Sequence, residues 1–140
     1  MMEQCKAHGF SPFHVKQDST GYIYNRSESS HYPQTCLGDI YIHTLSRIWA
    51  AIKREALMVV GEGVATPEEV DAIFKDVLKT PKGPCEQMDV VGLDVVLDIE
   101  EHYAEQRGNL PIEPRNLLKE YIKQNRLGVK NGHGFYDWRK

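Results

Sequence analysis

Apolar residues recur at helical spacing through most of this chain, and the breaks in that rhythm mark out its elements. Val70, Ile73, Phe74, Val77 and Leu78 fall at i, i+3, i+4, i+7 and i+8, which places a stripe along one side of a helix. Thr66-Pro67-Glu68-Glu69 precedes them as a capping box with proline at the first helical position, and Pro81 closes the segment. Ile48, Ile52, Ala56, Val59 and Val60 share a face of an earlier helix, with Lys53, Arg54 and Glu55 interrupting the apolar run and Gly61 and Gly63 ending it. Lys82-Gly83-Pro84 starts a short helix that runs through Met88 and Val91 to Gly92. Asp94 is placed to cap the next, which carries Val95, Val96, Leu97, Ile99 and Tyr103 and ends near Gly108. Pro114 opens a final helix with Leu117, Leu118, Tyr121 and Ile122 inward, and Gly128 lies at its end. The glycine-rich stretch from Val129 to Trp138 then carries three aromatics that can anchor it.

The front of the chain reads differently. Met1 to His8 has the pattern of a closing helix, ended by Gly9, and Phe10 to Lys16 that of a short strand with Phe13 and Val15 on one face. A helix ended by glycine and followed by a strand suggests the tail of an α/β unit. Asp18-Ser19-Thr20-Gly21 is a turn, behind which Tyr22 to Arg26 opens a helix. Ser27 to Arg47 then breaks the pattern with serines, Pro33 and no steady period. Deleting it joins Arg26 to Ile48 and restores the helical rhythm, so it reads as an insertion, either translated intron sequence or a surface loop. The fold expected is mainly α, with one short strand.

Composition narrows the function. With 140 residues, 41% of them hydrophobic and 26% charged, the chain has what a globular core needs. A formal net charge of −3 without a basic block argues against nucleic acid as a partner, and no apolar run approaches the ~20 residues that span a bilayer. Cys5, Cys36 and Cys85 are odd in number and widely spaced, the pattern of free thiols in a reducing compartment. The start is polar, unlike a secretory signal. An intracellular site, cytoplasmic or mitochondrial or peroxisomal, is expected.

Four motifs in fixed order carry a resemblance. They are Gly21-Tyr22-Ile23-Tyr24-Asn25-Arg26, Glu62 through Asp71, Pro81-Lys82-Gly83-Pro84 continuing to Asp89-Val90-Val91-Gly92-Leu93-Asp94, and Arg126 through Tyr136. Together these resemble the C-terminal domain of the 3-hydroxyacyl-CoA dehydrogenase family. The resemblance implies a helical domain of the 6-phosphogluconate dehydrogenase C-terminal-like type over residues 18–140, with an atypical insert at 27–47. Residues 1–17 would then be a remnant of an NAD-binding Rossmann domain, its last helix and strand. It further implies NAD-dependent oxidation of 3-hydroxyacyl-CoA to 3-ketoacyl-CoA in fatty acid metabolism, and a homodimer formed through the helical domain.

In that family a His–Glu pair and a G-x-G-x-x-G loop in the N-terminal domain do the proton transfer and hold the cofactor, and neither is present here. The active-site residue carried over is Asn25, whose amide would help to orient the catalytic His and the substrate carbonyl. An amide donates and accepts without titrating. Arg26 is expected to pair with a carboxylate such as Asp89 or Asp94, and Gly132-His133-Gly134 to form a structural turn rather than an anion cradle. The isolated chain should be inactive. A stand-alone helical dimerisation or interaction module, or one subunit of a split dehydrogenase, is the rival reading, and a related dehydrogenase acting on a sugar acid is a third.

Overall fold

The computed structural model describes residues 36–139, with side chains from residue 45 onward. The expected helix and strand before Asp18, the Asn25 motif and the first part of the 27–47 segment lie outside the described residues. The described residues from Ala50 onward form one compact unit, which holds the core. Five helices make up the described fold: α1 Cys36–Gly61, α2 Pro67–Leu78, α3 Pro84–Val91, α4 Leu93–Arg107 and α5 Glu113–Lys123, followed by a 3₁₀ turn at Val129–Asn131. Among the described residues the only β pairing is two isolated bridges, Gly128 with His133 and His133 with Asp137.

Two boundaries differ from the sequence reading. Helix α1 begins at Cys36, well inside the segment expected to be irregular, so residues 36–47 continue the same helix as Ile48 onward. Asp94 does not cap α4. Gly92 takes that position at φ +104°, and Asp94 sits in the first turn, where its carboxylate meets Lys130. A negative charge in the first turn also faces the positive end of the helix dipole.

The core lies where α1, α3, α4, α5 and the C-terminal tail meet. Leu57, Cys85, Met88, Leu93, Val96, Leu118 and Phe135 are buried together there, with Leu117, Tyr121 and Ile122 packed at the margin. Each fully buried Leu contributes about 1.5–3 kcal/mol by leaving water. α4 packs on α5, and α3 packs on α2, on α4 and on the 3₁₀ turn.

Two of the expected apolar stripes, on α1 and α2, are buried only in part. On α1 the buried residues are Ala50, Lys53, Arg54, Ala56 and Leu57; of the expected stripe Ala56 is buried and Val60 packs on the core, while Ile48 is exposed. Burial of the two cations on this face accompanies a countercharge brought by α4. On α2 the stripe is largely outside: Ile73 is 61% and Val77 69% exposed, Leu78 is exposed too, and the one fully buried residue of the helix is Asp71. The cap of α2 matches expectation. Glu69 N–H donates to Thr66 Oγ1 at 3.3 Å, and Thr66 N–H donates to Glu69 Oε2 at 2.8 Å.

Candidate functional site

Three of the four motifs converge on two buried carboxylates. Asp71, from the second motif, accepts from Cys85 N–H at 2.8 Å on one oxygen and from Glu86 N–H at 2.8 Å on the other. These are first-turn amides of α3, whose own N-cap is Gly83 and offers no side chain, so α2 supplies the cap that α3 lacks. The Tyr136 hydroxyl, from the fourth motif, donates to the same Asp71 at 2.8 Å. Asp89, from the third motif, accepts from Phe135 N–H and Tyr136 N–H, each at 2.9 Å, and from the Trp138 indole N–H at 2.7 Å.

Gly83 and Gly134 stand directly over these carboxylates. A Cβ at Gly83 would run into Asp71, and one at Gly134 into Asp89. Arg126 completes the arrangement, donating to the carbonyls of Gly134 at 2.8 Å and Phe135 at 3.4 Å while its guanidinium lies 4.3 Å from the Tyr121 ring centroid.

The chemistry of this pair is holding, not proton transfer. Each carboxylate already accepts three donors within the protein and is closed off from water. Burial, followed by the charge of Asp71, pushes the Cys85 thiol far above its ordinary value, which leaves it inert as a nucleophile. Burial and donation to Asp71 raise the Tyr136 phenol in the same way. Sequence reasoning expected the tail aromatics to anchor the loop and Asp89 or Asp94 to meet Arg26, but it did not identify the two carboxylates as the anchoring points. A signal was nevertheless present, since Asp71 interrupts the apolar run between Val70 and Ile73–Phe74.

A second charged group lies between α1 and α4. Arg54 Nε donates to Glu100 Oε2 at 2.8 Å, with the two residues 7% and 2% exposed. Lys53 is buried beside them. Desolvation lowers its pKa against the opposing pull of Glu100. Glu100 is shifted upward because burial outweighs the attraction of Arg54. Among the described residues Arg54 Nη2 and Glu100 Oε1 have no hydrogen-bond partner, and the two side chains are joined by a single contact rather than a fork.

Asn25 and Arg26 lie outside the described residues. The carboxylates expected for Arg26 have other partners here: Asp89 holds the tail and Asp94 meets Lys130. The glycine-rich loop is a tight turn. Its N–H groups point inward, Gly128 to His133 O at 2.6 Å, Gly132 to Val129 O at 3.2 Å and Gly134 to Tyr136 O at 2.9 Å. His102 bonds the Gln106 amide at 2.8 Å, and no cluster of metal-ligating side chains occurs among the described residues. Those three N–H groups are therefore taken up within the loop.

Residues 43–138 match the family model for the 3-hydroxyacyl-CoA dehydrogenase C-terminal domain. The 3-hydroxyacyl-CoA dehydrogenase-like protein LAM1 of Cochliobolus heterostrophus is 35% identical over 139 residues, covering 97% of this chain and 25% of that protein. The human mitochondrial hydroxyacyl-coenzyme A dehydrogenase is 30% identical over 96 residues, covering 68% of this chain and 31% of its own length. Among solved structures, the (S)-3-hydroxybutyryl-CoA dehydrogenase PaaH1 of Ralstonia eutropha superposes with a TM-score of 0.60 at 34% identity, over 67% of this chain and 33% of that one. The chain thus spans a quarter to a third of these relatives, and its helical fold is that of the Ralstonia eutropha enzyme over the shared part. It belongs to the 3-hydroxyacyl-CoA dehydrogenase family, as the C-terminal domain.

Proposed function

We propose that this chain is the helical part of an NAD-dependent dehydrogenase that oxidises 3-hydroxyacyl-CoA to 3-ketoacyl-CoA in fatty acid metabolism. The observation that carries the reading is the meeting of three family motifs on Asp71 and Asp89, because it gives those motifs a common structural purpose. In this reading residues 18–140 are the domain and residues 1–17 the end of a dinucleotide-binding unit. The domain contributes the Asn25 amide to the active site, where it orients the substrate carbonyl and the catalytic base. In the same reading the cofactor and the His–Glu pair come from residues outside this chain. The isolated chain is therefore inactive.

Pairing into a homodimer through the helical domain completes the proposal. The large apolar side chains left exposed on α2 favour a contact of this kind. No described helix is long and apolar enough to cross a membrane. The test is a chimaera that joins this chain to the part of the Ralstonia eutropha enzyme it does not cover, assayed by NADH absorbance with acetoacetyl-CoA. Activity is expected in the chimaera and not in the chain alone. Asn25→Ala should lower kcat by about 100-fold or more, as loss of an orienting polar group does. A folded chimaera that turns nothing over, or one indifferent to Asn25→Ala, overturns the reading. Sedimentation of the same protein reports whether it pairs.

A further inference from the structure

We draw no further inference here: the strongest candidate, the exposed apolar row of Ile73, Val77 and Leu78 along α2, belongs to the subunit contact already proposed, and nothing in the structure shows what else covers it.

Discussion

Replacing Asp89 by Asn tests whether one carboxylate fastens the C-terminal tail to the helices. The side chain keeps its size, so no cavity forms and the effect is electrostatic. Asn retains one oxygen. Its best placement is at Oδ2, where it still accepts from Tyr136 N–H and the Trp138 indole. The new amide NH₂ then faces Phe135 N–H, donor against donor. Each retained bond loses its charge assistance, about 1 kcal/mol apiece, and the stranded buried N–H costs about 1–3 kcal/mol. The sum is about 3–5 kcal/mol, a large part of the ~5–15 kcal/mol that holds a domain of this size together. Urea unfolding followed by far-ultraviolet circular dichroism measures it, with an unchanged slope showing that the fold is still lost as one unit. Trp138→Phe removes one of the three donors alone and should cost about 1–2 kcal/mol. In the Asp89→Asn background it should cost less, because the bond there is neutral. A loss below about 1 kcal/mol for Asp89→Asn at unchanged slope would refute the reasoning.

The same packing sets other outcomes. Gly134→Ala and Gly83→Ala each drive a methyl into a buried carboxylate and should cost about 3 kcal/mol or more. Gly63→Ala, at φ +71° with open space around it, should cost about 1 kcal/mol, so thermal melts will separate close approach from backbone strain. Arg54→Met strands the buried Glu100 charge and should cost about 3–5 kcal/mol, whereas Arg54→Met with Glu100→Leu should recover much of it in a double-mutant cycle. Lys53 gives a pH dependence. Its folded pKa is depressed below the ordinary lysine value of 10.5, so the unfolded chain binds more protons in the interval between the two values. Stability should therefore rise with pH across that interval, and Lys53→Met should flatten the slope in urea titrations at successive alkaline pH values.

Local features are readable in the sequence, and contacts between distant segments are not. The capping box at Thr66 and Glu69 needs only a four-residue span and appears as expected. So do the proline-opened α3 and the inward set of Leu117, Leu118, Tyr121 and Ile122 on α5. Periodicity says which residues share a face but not whether that face finds cover, which is why Ile73 and Val77, inward by their spacing, lie outside. Lys53 and Arg54 read as polar interruptions because their countercharge, Glu100, is 46 residues away from Arg54. Asp71 and Asp89 share that difficulty. Their partners in the tail are 65 residues on for Asp71 and 46 to 49 for Asp89, so the polar break at Asp71 is visible locally but what it meets is not. Helix α1 starts earlier than its pattern suggests because serines and Pro33 at the front of the segment mask the helical run after Cys36. Asn25, on which the catalytic proposal turns, lies outside the described residues and is a matter for the chimaera.

The tail carries a consequence for how the protein is made. Asp71 and Asp89 leave the ribosome well before Phe135, Tyr136 and Trp138, yet the later residues supply four of the six donors that these two carboxylates accept. Until translation reaches Trp138, Asp71 can already cap α3, but Asp89 lacks donors and must stay hydrated, which holds the core open. A nascent chain that stalls short of that point exposes Leu57, Met88 and Leu118 to chaperones and proteases. The tail aromatics are thus the pieces that close the core around Asp89.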